Sequence, residues 1–241
     1  MLQQLFSRQA NPPGAPVNQN WRSDGIPMGF PRSKEAMSLT ASEVHALKKA
    51  SPVHGVLPVI HERWSARSFA EREVSAETLR KVFEAARWAA SGGNGQPWRF
   101  VVGLKSSETH EKIASTLAGF NKVWAPKAPV LILGTALAVN AKGEANPYAL
   151  FDLGAASAHL TLQAAELGLT THQMAGFDHE AARQALGIPE EYALGTVIAL
   201  GYQGEPAALG DATLIERETT ARTRKPLHEI VFSEWGKPAE I

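Results

Sequence analysis

Four arginines and a serine carry the most specific chemistry in this sequence. Arg63 and Arg67 stand four apart in "RWSAR" with the Ser65 hydroxyl between them, and Arg222 and Arg224 stand two apart in "RTR". The first pair shares a face if its segment is helical, and the second lies on one side of an extended segment. A phosphate monoester carries close to two negative charges near neutral pH, and forked guanidinium groups with a hydroxyl hold it well. Taken singly, each arginine reads first as a solvated surface residue, because charged side chains are mostly exposed. Composition alone does not bring the two segments together.

A second feature is the stretch "AASGGNGQPWRF", residues 89–100. Its glycines let main chain lie close to a ligand. Asn94 and Gln96 can both donate and accept hydrogen bonds, which suits a ring bearing carbonyl and N–H groups. Read alone, the stretch is a helix cap followed by a turn. "QMAGF", residues 173–177, is likewise a strand end with a glycine that admits close approach.

Several other chemistries are excluded. Gly93-x-Gly95 begins a dinucleotide fingerprint, but Trp98 holds the third glycine position and the helix precedes the strand. There is no P-loop and no GxSxG elbow, and neither His61-Glu62 nor His228-Glu229 has a second histidine four residues after the first, so no zinc-protease site forms. With no cysteine, thiolate catalysis, thiolate-bound metals and disulfides are all absent. No metal site and no catalytic side chain is expected, and His159 reads as a packed or rim residue.

The elements that must position these residues read as follows. "SLTASEVHALKKA" is a short helix capped by Thr40 or Ser42, and a second short helix covers residues 56–63. "VSAETLRKVFEAARWAA" is a helix with Ser75 as cap and an apolar stripe of Leu79, Val82, Phe83, Ala86 and Ala89 or Ala90. "WRFVVGL" is a strand, residues 107–118 a helix, and "APVLILGTA" a strand covered on both faces. A long helix follows, with Asn146 as cap, Pro147 at its first position and Gly168 closing it. "LTTHQMAGF" is strand and loop, "DHEAARQALG" a helix capped by Asp178, and "YALGTVIALGY" a buried strand. Helices and strands alternate without a regular βαβ beat, which makes the class α+β, with helices packed on a central sheet.

The 241 residues suffice for one sizeable domain, and 24 basic against 24 acidic residues leave no net field to recruit nucleic acid or an anionic membrane. No run approaches a membrane span and the start is too short in apolar residues for a secretory signal, so the cytoplasm is the expected location. Residues 1–36 carry five prolines and no period, and read as a flexible arm or a start placed upstream of Met37; residues 37–241 form the domain. The tail, with Leu227, Ile230, Val231, Phe232 and Trp235, is apolar without a period and needs cover, for which a second subunit is the favoured source.

In order along the chain, "RWSARSF", "AARWAASGGNGQPWRFVV", "APVLIL", "ALFDLGAASAHLTLQAAELGL", "HQMAGF", "GIPEEY" with "ALGYQG", and "RTRKPLHEIVF" resemble the nitroreductase family of flavin-dependent oxidoreductases, over residues 57–232. The resemblance implies a central mixed, mainly antiparallel sheet flanked by helices, in a domain-sharing homodimer with FMN at each of two interface sites. It implies that Arg63, Ser65, Arg222 and Arg224 grip the phosphate and ribityl chain, with Trp64 offering its main chain, and that Arg67 lies beside the flavin N1/O2 edge. Ser91, Gly92 and Asn94 would come from the partner subunit and pack on the ring, Ala90 and Gln96 would also bind the cofactor, Asn121 would reach the pyrimidine edge, and the main chain of Met174, Ala175 and Gly176 would pass near N5.

The resemblance further implies NADH or NADPH as co-substrate and a small electron-poor acceptor of nitroaromatic or quinone type, reduced in a ping-pong cycle. Other readings stay open: a same-fold flavoenzyme using oxygen or dehalogenating, a non-catalytic FMN-binding protein, and an α+β domain with no cofactor. Trp64 stands where relatives usually carry Arg or His, Ala90 and Gly92 replace Pro and Ser of the commoner loop, Gly95 replaces a polar residue, and Ala175 stands where some members place a glutamate. These departures bear on the substrate rather than on FMN.

Overall fold

The computed structural model describes residues 39–49, 52, 54–140 and 142–241. The arm expected over residues 1–36, and its boundary with the domain, lie outside them. At the centre is a four-stranded sheet in the order β1-β2-β4-β3, made by β1 (Trp98–Leu104), β2 (Val130–Leu137), β3 (Thr170–Met174) and β4 (Tyr192–Gly201). Each of its three pairings is antiparallel.

The apolar run of β2 is continuous because both faces of the sheet are covered. Val130, Ile132 and Ala136 join Ile198 and Leu200 of β4 on one face, beneath α3 (Ala76–Arg87) and the long α6 (Ala149–Glu166), which contribute Val82, Ala86, Leu153, Ala156 and Leu160. Leu131 and Leu133 join Val197 and Ala199 on the other face. There they meet Ile113 of α4 (Glu108–Thr116), Trp124 of α5 (Asn121–Trp124), Ala182 of α7 (His179–Leu186) and Leu214 and Ile215 of α8 (Ala212–Thr219). Each large aliphatic side chain so buried contributes about 1.5–3 kcal/mol.

Local signals fix most helix starts. Thr40 and Glu43 form a reciprocal capping box at α1 (Ala41–Lys48), while Ser75, Ser107 and Asp178 accept the N–H groups of Thr78, His110 and Ala181. The long helix departs from expectation. It starts at Ala149, and Asn146 orders the turn before it, accepting the Tyr148 N–H at 3.2 Å, so Asn146 is not the cap and Pro147 precedes the first turn. Its end is as expected: Gly168 takes φ +74°, and the N–H groups of Gly168 and Leu169 close back on Ala165 and Ala164.

Arg63 and Arg67 do not share a helical face. The helix α2 (Pro58–Glu62) stops at Arg63, whose ψ is 130°, and the chain then runs extended. Burial alternates along it: Trp64, Ala66 and Ser68 turn into the core, whereas Arg63, Ser65 and Arg67 face the opposite side. This strap is stitched alongside the exit of β4. Ala70 N–H donates to Tyr202 at 2.9 Å, and Gly204 N–H donates to Ser68 at 2.9 Å.

The approach at Gly204 excludes a side chain, since a Cβ there would lie 2.6 Å from the carbonyl carbon of Phe69 and 2.7 Å from its oxygen. Gly204→Ala is therefore expected to destabilise the fold by about 1–3 kcal/mol, read as a lowered urea midpoint. An unchanged midpoint would contradict this packing of the strap.

Candidate functional site

Neutral anchors hold the strap in place. His172 of β3 donates from Nδ1 to the Ala66 carbonyl at 3.0 Å, and its ring lies 4.6 Å from that of Trp124. Ser68 Oγ donates to the Glu205 carbonyl at 2.6 Å. One charged anchor stands out. Glu218, whose side chain is 0% exposed, accepts the Arg67 N–H at both oxygens, 3.0 and 2.9 Å, and the Ser68 N–H at 3.0 Å. Its carboxylate also lies 3.9 Å from the Arg67 guanidinium. Burial pushes the Glu218 pKa up, while these N–H groups, Arg67 and Lys48 pull it back.

The C-terminal arm reaches the strap directly. The Arg222 guanidinium donates to the main-chain carbonyl of Arg63 at 2.6 Å and to that of His61. Arg224 is exposed and, among the described residues, donates only to the Thr223 carbonyl. Burial, followed by mutual repulsion, holds Arg63 and Arg222 below the usual arginine pKa, with Arg224 acting on both. Among the described residues no carboxylate pairs with Arg63, Arg222 or Arg224, and the buried Nε of Arg222 finds no acceptor. Three like charges thus meet with no counter-charge among the described residues, an arrangement suited to a polyanion.

Arg67 continues this surface toward the end of β3. Arg217, within electrostatic range of Arg67, stacks on Phe120 at 5.1 Å. The next residue, Asn121, donates from Nδ2 to the Gly176 carbonyl at 3.1 Å. Met174 buries its side chain, so only its main chain is available, whereas Ala175 and Gly176 are exposed and their N–H groups donate to nothing among the described residues. Trp64 packs with Val44 and Ala66, under the Lys48 ammonium 4.8 Å from its ring centre, and likewise offers main chain only.

The glycine loop is not brought to the arginines within one chain. Gly93, Asn94 and Gln96 take positive φ of 56°, 57° and 45°, with Gly95 right-handed at −67° between the last two, and the loop is held by Gln96 N–H on Ser91 Oγ and by the Gln96 side chain on Asn94. Its link is to α6, through Gly92 N–H donating to Asp152 at 3.2 Å. Gly92, Asn94 and Gln96 are exposed, as is Ala90, and Ser91 is half-buried. His159 lies exposed on α6.

Sequence reasoning passed over Glu218, Lys48 and His172. Glu218 shares the inward face of α8 with Leu214, Ile215 and Thr219, so a carboxylate at helical spacing on an apolar stripe was the available signal. Lys48 donates to the carbonyls of Arg217 and Thr220 at the end of α8, and burial lowers its pKa to about 8.

A profile of the nitroreductase family matches residues 60–127 and 117–202, more than half of the chain. The chain belongs to the nitroreductase family. An uncharacterised 15.4 kDa protein of Mycolicibacterium smegmatis is 38% identical to it over 148 residues, covering 58% of this chain and 99% of that one. The NADH dehydrogenase of Thermus thermophilus is 31% identical over 176 residues, covering 60% of this chain and 84% of that one. The crystal structure of an oxidoreductase containing FMN shares 31% identity and a TM-score of 0.71, covering 77% of this chain and 95% of that one. In this nitroreductase-family chain the profile takes in the strap, the glycine loop and β3, while Glu218, Arg222 and Arg224 lie beyond it. Among the described residues no helix is long and apolar enough to cross a membrane.

The strap has a measurable pH signature. Burial first, then the Arg67 charge, lowers the His172 pKa from 6.5 to about 4. An unfolded chain takes up that proton near 6.5 and the folded chain only near 4. The stability carried by neutral His172 is therefore complete above 6.5 and is lost as pH falls toward 4, by up to about 3 kcal/mol. In denaturant titrations His172→Gln should flatten the loss of stability over this window. Equal slopes in parent and variant would contradict the placement of His172.

Proposed function

We propose that this oxidoreductase of the nitroreductase family uses FMN bound at the arginine surface, with NADH or NADPH as donor and a small electron-poor molecule as acceptor. The observation that carries the reading is the meeting of Arg63, Arg222 and Arg224, with Arg222 bonded to the Arg63 carbonyl and, among the described residues, no carboxylate paired with any of the three. The FMN phosphate has the charge such a cluster lacks. Arg63, Ser65, Arg222 and Arg224 would hold it, the unpartnered Arg222 Nε included. Arg67 would meet the N1/O2 edge of the ring, and the unused N–H groups of Ala175 and Gly176 the N5 edge. Asn121, expected at the pyrimidine edge, is engaged with the Gly176 carbonyl, so its part is to fix the loop that presents these N–H groups.

When bound, FMN supplies two-electron chemistry, taking a hydride from the nicotinamide and delivering it to the acceptor. The chain's own residues bind and orient, and none needs to serve as nucleophile or base. Ala175 leaves the acceptor side without a carboxylate at that position, which suits a neutral aromatic or quinone.

A second copy of the chain completes the site in this reading. Leu150 and Phe151 are exposed on α6 in line with Gly154 and Ala158, and the arm exposes Ile230, Trp235 at 96% and Ile241. Apolar surface of this extent calls for cover. The loop 91–96 hangs from Asp152 on the same helix, beside that face, so pairing of two chains through α6 would carry it to the partner's ring.

The purified protein is expected to sediment as a dimer, to show a flavin absorbance spectrum, and to bleach under anaerobic NADH or NADPH. A flavin that stays oxidised with both nicotinamides overturns the donor assignment and leaves a flavin-holding protein. A colourless chain that takes up no FMN overturns the reading altogether.

A further inference from the structure

Glu218 does more than fill a gap in the core. It belongs to α8, the helix that leads directly into the arm bearing Arg222 and Arg224, and its carboxylate grips the strap bearing Arg63, Ser65 and Arg67. One solvent-excluded side chain thus joins the two segments that meet at the anion site. It also supplies the sole carboxylate within ion-pair distance of Arg67 among the described residues, at 3.9 Å, whereas Arg63, Arg222 and Arg224 have none. The site is therefore electrostatically uneven, uncompensated at one end and partly compensated at Arg67.

We propose that Glu218 is a positioning residue that sets both the place of Arg67 and the net charge Arg67 presents to the flavin, limiting how strongly the protein favours reduced over oxidised FMN. The inference rests on the FMN reading above. The reduced ring carries negative charge along its N1/O2 edge, so an unopposed Arg67 would favour it by Coulomb attraction. A fixed negative charge behind the guanidinium cancels part of that attraction. Lys48, within electrostatic range of Glu218, is turned to the carbonyls ending α8 and so holds the helix that carries the carboxylate. A carboxylate serving only to cap strap N–H groups would alter folding and FMN retention without a directed change in the reduced-to-oxidised preference.

Glu218→Gln keeps the shape and removes the charge. With both proteins saturated with FMN and equilibrated against redox dyes, the variant is expected to favour reduced FMN at least tenfold more than the parent, an upward midpoint shift of about 30 mV for two electrons. In an Arg67→Met background the same Glu218→Gln change should raise the midpoint by less, because only the direct Coulomb share of the carboxylate remains once the guanidinium it positions is gone. An unchanged or lowered midpoint in the single variant overturns the proposal, as does an equal rise in the Arg67→Met background. If Glu218→Gln does not fold, judged by far-ultraviolet circular dichroism, Glu218→Asp withdraws the charge from Arg67 while keeping it, and must shift the midpoint upward. An unmoved midpoint there also overturns the proposal. A parent that binds FMN with unshifted variants sinks this inference alone; a parent that takes up no FMN sinks the flavin reading with it.

Discussion

Repulsion among like charges is the constraint around which the strap and the arm are organised. Guanidinium groups drawn together from residues 63 and 222–224 destabilise one another unless something holds them. Arg222 is held by the carbonyls of His61 and Arg63, which fix its position without cancelling its charge. A carboxylate in their place would have made a more comfortable protein and a weaker anion site. At Arg67 the opposite choice is made, since Glu218 brings a carboxylate from the core to 3.9 Å from the guanidinium and compensates it in part. Neutral anchors at one end and a carboxylate at the other give the surface a gradient that a phosphate joined to an electron-accepting ring could use.

The rest of the fold serves that placement. Both faces of the sheet are buried, so β3 and β4 are stiff rails, and the strap is fastened to them through His172, Ser68 and the close approach at Gly204. The alternation of Trp64, Ala66 and Ser68 inward fixes Arg63, Ser65 and Arg67 outward without any helix. What one chain does not do is bring the loop 91–96 to this surface; that loop stands with the uncovered side of α6 instead. In the proposed dimer a second copy would both cover that apolar face and bring the loop to the site.

Much of the scaffold was legible in the sequence because its signals are local. Capping residues lie within three positions of the N–H groups they accept, and the run of β2 declares burial on both faces by itself. The arginines were legible as a set through the family resemblance, but their local geometry was not. Spacing of four suggested a helical face, whereas bonds to Tyr202 and Gly204, far along the chain, draw the segment out straight. Glu218 was illegible as a partner for a similar reason. Its position on an apolar stripe marks it as buried, yet only the folded chain shows that its acceptors face residues 67 and 68. Asn146 was misplaced by the ambiguity between a helix cap and an Asx turn just upstream, since both use the same side-chain oxygen.

The central claim is that uncompensated guanidinium groups exist to receive a phosphate, and comparison of FMN with riboflavin isolates that group. Dissociation constants measured by flavin fluorescence quenching should show FMN bound at least about a hundredfold more tightly, since two or more charge-assisted contacts are at stake at roughly 1.5–3 kcal/mol each. Arg224→Ala should shrink this ratio at least about tenfold while leaving riboflavin affinity unchanged. Equal affinity for the two flavins would contradict the account at its root.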